Sequence, residues 1–372
     1  MKIAQINKFY APVVGGVEKH LQILAEGLKY RAEVTIIAAN TGLRTHYDDS
    51  NHLRIIKLPS LGTLFSAPLC LSFFYLLKKI KADVLHFHFP YPIASIGYLL
   101  TRPRGKVVVT FHNAIVRQKF LGRLLRPVEI LFLKKADVII AGSPQMIENS
   151  EILKQFRHKC RVIPLGIDIN RFGPLKDWRD VKKIRSKYSE RIILFVGRLV
   201  HYKGVEYLIR AMRAVDASLL VIGDGKLRCK LEELTEHLSL SDRVHFLGEV
   251  TDEVLPAYYH ACDVFVLPSI SPAEGFGLVQ IEAQACGKAV ISTSLPTGVP
   301  FVNLHQKTGL VVPPKNPDAL ADAINRLLDD SALRERYESH AMERAQCFRS
   351  ELMVNRVFAL YEELLNGKRD LI

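Results

Sequence analysis

The sequence predicts an α/β protein made of two doubly wound units. Two observations carry this expectation. Short β-branched runs alternate with amphipathic segments through the first half of the chain, and the same alternation starts again after residue 190. The runs are continuously apolar, which is how strands read when helices cover both faces of a parallel sheet.

In chain order, strands are expected at Lys2–Asn7, Glu33–Ala39, Arg54–Lys57, Val84–Phe89, Val107–Phe111 and Val138–Ala141. Helices are expected between them at Val17–Leu28, Pro68–Ile80, Pro92–Leu100, Phe120–Lys135 and Pro144–Leu153. The polar stretch Asn170–Glu190 reads as a linker with one short helix. Strands then resume at Ile192–Val196, Leu219–Ile222, Val244–Leu247, Val264–Leu267, Ala289–Ser292 and Leu310–Val312. Their helices are Val205–Val215, Lys226–Leu238, Val254–His260, Leu278–Ala285 and Pro317–Leu328, which completes a second unit of the same kind. The tail Leu333–Leu365 reads as helix throughout. With no strand after it, it must pack elsewhere, and the first domain is the expected place. The domains expected are therefore 1–170, 171–350, and a helix over 351–372 that returns toward the first.

A length of 372 residues suits two domains and is long enough to bury large cores. The six cysteines form no CxxC pair, so neither a zinc site nor a disulfide framework is suggested, in keeping with a reducing cytosol. The start MKIAQINKFY has no signal-peptide pattern. The most apolar stretch, Leu61–Leu77, contains Pro68 and runs into Lys78, Lys79 and Lys81. It falls short of the roughly 20 apolar residues that span a bilayer.

Charge is unevenly divided. Residues 1–170 hold 24 Lys+Arg against 11 Asp+Glu, whereas residues 171–372 hold 27 of each, so the whole excess of +13 lies in the first half. That half is expected to meet an anionic partner: nucleic acid, an anionic membrane surface or a polyphosphate substrate.

The segment Glu274-Gly-Phe-Gly-Leu-Val-Gln-Ile-Glu282 follows one strand and opens a helix. Gly275 and Gly277 let backbone approach a ligand closely, and the first amides of the helix favour an anion. Two carboxylates flanking such a helix start suit a ligand with phosphates and several hydroxyls, as in a sugar nucleotide. Alternatively, Glu274 is a cap and Glu282 belongs to a solvated face. Gly197-Arg198 and Lys203-Gly204 place two cations five residues apart at the carboxyl end of a strand, where Arg and Lys can clamp a diphosphate or simply be solvated. Gly15 and Gly16 sit between the first strand and first helix, where a Rossmann domain places phosphates. Val17 and Glu18 follow them, so the GxGxxG fingerprint is missing. Gly223-Asp-Gly225 is a lone GxG, which disfavours a nicotinamide enzyme. His86 and His88 can share a face of one strand at a metal-ligand spacing, but no third ligand is apparent, which favours a structural or acceptor-side role.

Taken in order, Gly15-Gly16-Val-Glu18, Thr110-Phe-His112, Gly166-Ile-Asp168, Gly197-Arg198, Lys203-Gly204, Gly223-Asp-Gly225 and Glu274/Glu282 resemble the retaining glycosyltransferases of family 4. The resemblance covers essentially the whole chain. It implies the GT-B fold, with two Rossmann-like domains facing a central cleft and a donor nucleotide sugar held mainly by the C-terminal domain. It implies that Arg198 and Lys203 neutralise the donor diphosphate, with Glu282 on the ribose. Glu274 and the amides of Gly275, Phe276 and Gly277 would hold the transferred sugar. It places His112 across the cleft at that sugar, and Gly15 and Gly16 beside the diphosphate and acceptor. Retention would proceed by same-face attack with the leaving phosphate as base, domain closure would exclude water, and no metal or other cofactor would be needed.

The basic segments Leu69–Lys81 and Phe120–Lys135 suit an anionic membrane surface or a lipid-linked pyrophosphate, or are ordinary core-covering helices with solvated lysines. The first alternative makes the acceptor a lipid-pyrophosphate-linked glycan, and the enzyme peripheral on the cytoplasmic face of the membrane. The chain also resembles bacterial O-antigen and polysaccharide transferases, in part through Thr297-Gly-Val-Pro-Phe301, which favours GDP-mannose over UDP-sugars. Nucleic-acid binding would explain the charge but not Glu274/Glu282, and no nucleic-acid motif is present. A GT-B sugar-nucleotide epimerase, which needs no acceptor, is the nearer rival.

Overall fold

The computed structural model describes all residues except 14, 41, 51, 65–66, 113–118, 176, 189 and 368–372, and all side chains except those of 63, 64, 67, 119–124 and the same tail. The chain forms two units, one comprising Met1–Gly166 with Ser350–Ile372, the other Ile167–Arg349.

The first unit begins with β1 (Lys2–Ile6), α1 (Gly16–Leu28), β2 (Glu33–Ala39), β3 (His46–Ser50) and β4 (Leu53–Leu58). A small hairpin, β5 (Thr63–Leu64) and β6 (Ala67–Pro68), precedes α2 (Ser72–Lys79). There follow β7 (Val84–Phe89), α3 (Pro92–Thr101), β8 (Lys106–Phe111), α4 (Lys119–Lys135), β9 (Val138–Ala141), α5 (Pro144–Asn149) and β10 (Cys160–Val162). The eight-stranded sheet has the order β10-β9-β8-β7-β1-β2-β4-β3. Only β3 runs antiparallel, and all five of its residues are exposed. Every residue of β7 is buried, as expected of a strand covered on both faces.

The second unit contains α6 (Arg179–Lys187), β11 (Ile192–Val196), α7 (Val205–Ala211), β12 (Ser218–Ile222), α8 (Arg228–His237), β13 (Val244–Gly248), α9 (Leu255–Ala261) and β14 (Val264–Leu267). It continues with α10 (Leu278–Ala285), β15 (Ala289–Thr293), α11 (Val299–Val302), β16 (Gly309–Val312), α12 (Pro317–Asp329) and α13 (Ser331–Ala345). Its six strands are all parallel, in the order β13-β12-β11-β14-β15-β16.

The last helix, α14 (Ser350–Asn366), belongs to the first unit and lies on α1. Their approach is close: a Cβ on Gly27 of α1 would stand 2.6 Å from Val354 Cγ2. Met353, Val357, Phe358 and Tyr361 join Leu21, Leu24 and Leu28 in one buried cluster.

Of the expected helices, three change most. Pro68–Ile80 begins only at Ser72, because hydrogen bonds from Leu61 N to Leu69 O and from Leu69 N to Gly62 O close the preceding residues into the hairpin. Pro144–Leu153 stops at Asn149, after which the Ser150 hydroxyl accepts from Leu153 N and starts a separate 3-10 segment, Leu153–Lys159. The tail is not helical throughout: after Gln346–Phe348, Arg349 is extended and bridges Ile167. Reading the domains as 1–170 and 171–350 put the crossings slightly late, since the chain leaves the first unit after Gly166 and returns at Ser350. Among the described residues no helix is long and apolar enough to cross a membrane.

Candidate functional site

In each sheet the strand order reverses once, and the carboxyl ends beside that reversal form the natural ligand crevice of an open α/β sheet. In the second unit the reversal lies between β11 and β14. The loop after β11 carries Gly197, Arg198, Lys203 and Gly204, and the loop after β14 runs from Pro268 to Gly277. Two ties hold these loops together: Ile270 N donates to Tyr202 O at 2.8 Å, and Gly204, at φ +66°, packs so tightly that a Cβ would fall 2.2 Å from Pro268 O.

Across this junction Lys203 Nζ meets Glu274 Oε2 at 2.7 Å, with both side chains buried. The Ser269 hydroxyl donates to the same carboxylate oxygen at 2.9 Å. Thr293 Oγ1, at the end of β15, in turn donates to Ser269 O. Burial pulls the Lys203 ammonium down, but the Glu274 charge, Tyr202 and the hydrogen bond to Glu274 outweigh it, so its pKa stands above the ordinary lysine value. The pair is therefore a desolvated ion pair, with a positive neighbour in Arg198. Arg198 itself is exposed and donates from Nη2 only to the Tyr202 hydroxyl, at 3.2 Å, among the described residues. A buried charge pair beside an exposed guanidinium can receive a diphosphate on its cationic side and hydroxyls on its carboxylate.

Gly277 is the N-cap of α10, in the left-handed region at φ +71°. A Cβ there would stand 2.7 Å from Leu267 Cδ2. The amides of Gly275, Phe276 and Gly277 find no acceptor among the described residues, which leaves them free for a ligand at the helix start. The Phe276 side chain is buried against Phe348 and the half-buried Phe301, so it anchors the turn while its amide remains available. Thr297–Phe301 braces the same turn, since Gly298 N donates to Gly275 O at 2.8 Å. Glu282, half-buried within α10, accepts from the Tyr259 hydroxyl at 2.8 Å and is therefore not a wholly solvated residue. Gly223 and Gly225 have a packing reason of their own: Cβ atoms there would fall 2.2 Å from Gly197 O and 2.5 Å from Leu199 O. They let the loop after β12 stack against the loop that carries Arg198.

In the first unit the reversal lies between β1 and β7. Four imidazoles gather there, all buried: His20 from α1, His86 and His88 from β7, and His112 just after β8. His88 stacks between His86 and His112, with centroids 4.8 and 5.3 Å away, and His20 meets His88 and His112 edge-on. The further imidazoles that His86-Phe-His88 lacked in sequence are thus supplied from two other elements. Ring nitrogens of His20, His88 and His112 lie within 4.8 Å of one another, the number a divalent metal uses. His88 Nδ1 and His112 Nε2 stand 3.0 Å apart, however, and share a proton in a hydrogen bond that a metal would have to displace. We read them as a hydrogen-bonded pair. Burial makes all four rings neutral: it lowers His20 to about 4 and, with His20, His86 to about 3, and it holds His88 and His112 well below the usual range.

Gly15 caps α1 without a side-chain hydrogen bond, and Glu18 folds back so that a Cβ on Gly15 would collide with its Oε2. A Cβ on Gly16 would meet nothing within 4 Å. Lys8 and Glu129 lie nearby in charge terms: burial lowers the one against the pull of Glu18 and Glu129, and raises the other to about 7. Sequence reasoning missed Ser269, Tyr259, His20, Gln5 and Tyr361. Only Ser269, five residues before Glu274 at the end of a strand, left a local signal.

Comparison with known proteins gives the family and the fold. Residues 14–171 match the model of Glycosyltransferase Family 4, and residues 176–344 that of Glycosyl transferases group 1. The chain is 30% identical to the O-antigen chain mannosyltransferase C of Escherichia coli, over 99% of this chain and all of that one. It is 36% identical to the D-rhamnosyltransferase WbpZ of Pseudomonas aeruginosa, over 71% of this chain and 69% of the relative. Among solved structures, the sucrose-phosphate synthase of Thermosynechococcus elongatus superposes with a TM-score of 0.82 at 28% identity, covering 99% of this chain and all of that one. The two Rossmann-like parallel sheets are those of the GT-B fold, and this chain belongs to glycosyltransferase family 4.

Proposed function

We propose that this glycosyltransferase moves a hexose, with mannose favoured, from GDP-mannose to a lipid-pyrophosphate-linked glycan during O-antigen-like polysaccharide synthesis, with retention and without a metal. The observation that carries the reading is the buried Lys203–Glu274 pair beside exposed Arg198 and the open amides of Gly275–Gly277. In it, Arg198 and Lys203 take the diphosphate and stabilise the charge that grows on the leaving group. Glu274 accepts from hydroxyls of the transferred sugar, Glu282 from the ribose, and Gly15, Gly16, Gly223 and Gly225 line the donor's backbone contacts. His112 faces the transferred sugar. Likeness to a mannosyltransferase named for the O-antigen chain supports mannose as the transferred sugar and an O-antigen-like product.

The first unit's helices support a membrane-side role. Leu71, Tyr75, Leu100 and Leu131 are exposed on the packed layer of α2, α3 and α4, among the exposed Lys78, Lys79, Lys134 and Lys135. Phe73 faces the core instead, and the side chains of Phe120 and Arg123 lie outside the described residues. Exposed apolar side chains on the same helices as exposed lysines suit an anionic lipid surface.

The test is sugar transfer to a lipid-linked acceptor extract from GDP-mannose and a panel of UDP-sugars, with and without EDTA, with the anomeric configuration read by NMR. The expected result is an α-mannosyl product from GDP-mannose, unchanged by EDTA. Transfer from a UDP-sugar replaces the donor, and a modified free sugar nucleotide without transfer replaces the reading by an epimerase. Failure to sediment with anionic vesicles at low salt removes the membrane role.

A further inference from the structure

The buried polar groups of the first unit form one continuous hydrogen-bonded chain that ends on His112. Gln5, in β1, donates from Nε2 to the Tyr361 hydroxyl of α14 at 3.0 Å. Its Oε1 lies 2.9 Å from His88 Nε2. The Tyr361 hydroxyl also lies 2.5 Å from His86 Nδ1, and His86 Nε2 lies 2.6 Å from Thr110 Oγ1. His88 Nδ1 then meets His112 Nε2 at 3.0 Å. His112 Nδ1 has no hydrogen-bond partner among the described residues.

The direction of each bond follows from one group. An amide oxygen only accepts, so Gln5 Oε1 requires a proton on His88 Nε2. A neutral His88 then has a bare Nδ1, which must accept from His112 Nε2–H. A neutral His112 with its proton on Nε2 has a bare Nδ1. On the other branch, Tyr361 accepts from Gln5 and so gives its own proton to His86 Nδ1, which leaves His86 Nε2–H to donate to Thr110. Every bond in the chain runs in one sense.

We propose that Gln5, His88 and Tyr361 are positioning residues that fix the tautomer of His112, so that its remaining nitrogen, Nδ1, is offered to the substrate only as a hydrogen-bond acceptor. Such a nitrogen recognises a hydroxyl of the transferred sugar and cannot donate to a phosphate oxygen. This inference rests on the reading of His112 as a residue facing the donor sugar, but the tautomer itself is a property of the free protein.

The experiment is long-range proton–nitrogen NMR on the full chain with ¹⁵N-histidine, with His112 assigned by loss of its signal in His112→Ala. The expected pattern is a protonated Nε2 and a bare Nδ1 on both His88 and His112 at neutral pH. A protonated Nδ1 on His112 overturns the proposal, whether or not the enzyme transfers sugar. If the tautomer is as stated and no sugar is transferred from any donor, the functional reading fails and the positioning chain stands. Gln5→Leu removes the group that sets the direction, so the His112 signals should move toward a mixture of tautomers. The kcat should fall about two- to tenfold with the donor KM little changed, the pattern of a partly populated competent form. Thr110→Val interrupts only the branch beyond His86 and should leave the His112 signals in place. Equal displacement of His112 by Gln5→Leu and Thr110→Val would reduce the chain to ordinary packing and overturn the proposal.

Discussion

The two units solve one problem in opposite ways. Each brings polar side chains to the carboxyl ends of its strands at the point where strand order reverses. The second unit keeps its groups charged, pairing Lys203 with Glu274 at 2.7 Å in a desolvated junction. The first keeps its groups neutral, holding four imidazoles below their ordinary pKa in a hydrogen-bonded stack. The difference is one of partners. A buried charge persists only beside an opposite charge and further hydrogen bonds. Lys203 has a carboxylate to meet, whereas the imidazoles meet one another and Lys8, all of which oppose a proton.

The largest expected effect is on the pH dependence of stability. The four imidazoles have folded-state pKa values below the unfolded one, so their contribution is present above about pH 6.5 and is lost as pH falls. Below that point the unfolded chain binds protons that the fold refuses, at about 1.4 kcal/mol per group per pH unit, and so up to about 5 kcal/mol per unit for four. Lys203 behaves oppositely: its raised pKa makes its contribution complete below about pH 10.5 and lost in alkali. Thermal unfolding followed by probes in each unit should show the first unit failing between pH 6.5 and 4. An unchanged melting temperature of that unit at pH 5 would sink the account of expelled charge.

Next in size is the breaking of the ion pair. Lys203→Met leaves Glu274 buried without its counter-charge and should cost about 3–5 kcal/mol in urea unfolding. The same change should lower kcat about 10²- to 10³-fold, as loss of a positive group facing developing charge does. A variant with unchanged stability would show that water reaches Glu274 and that the two units differ less than their geometry implies.

The smallest expected effect is at Tyr259→Phe. It removes the hydroxyl that donates to Glu282 at 2.8 Å and should cost about 1 kcal/mol of stability. If Glu282 binds the ribose as proposed, the donor KM should rise severalfold with kcat nearly unchanged, because the hydroxyl then acts only by orienting that carboxylate. A fall in kcat alone would move Glu282 from nucleotide binding to the chemical step.

Much of the architecture was legible because it is local. Continuous apolar runs such as Val84–Phe89 and Val264–Leu267 end where the residues said they would. The glycines around α10 marked a tight turn at the helix start for the same reason: backbone freedom is a property of one position. Where the local pattern failed, a neighbour in space had taken over, as when the hairpin claimed Pro68 or when the crossing at Arg349 broke the tail.

The sequence by itself determined two parallel α/β units, the excess positive charge of the first, and the separate pieces at Arg198, Lys203, Glu274 and Glu282. Only the tertiary structure decided which pieces act together. It joined Lys203 to Glu274 and Glu282 to Tyr259, and it gathered His20, His88 and His112 from three elements, with Gln5 and Tyr361 behind them. Periodicity and glycine placement act within one element, so they can be read along the chain. The charge state of a buried side chain depends on which groups the fold sets against it, and those groups lie far apart in sequence.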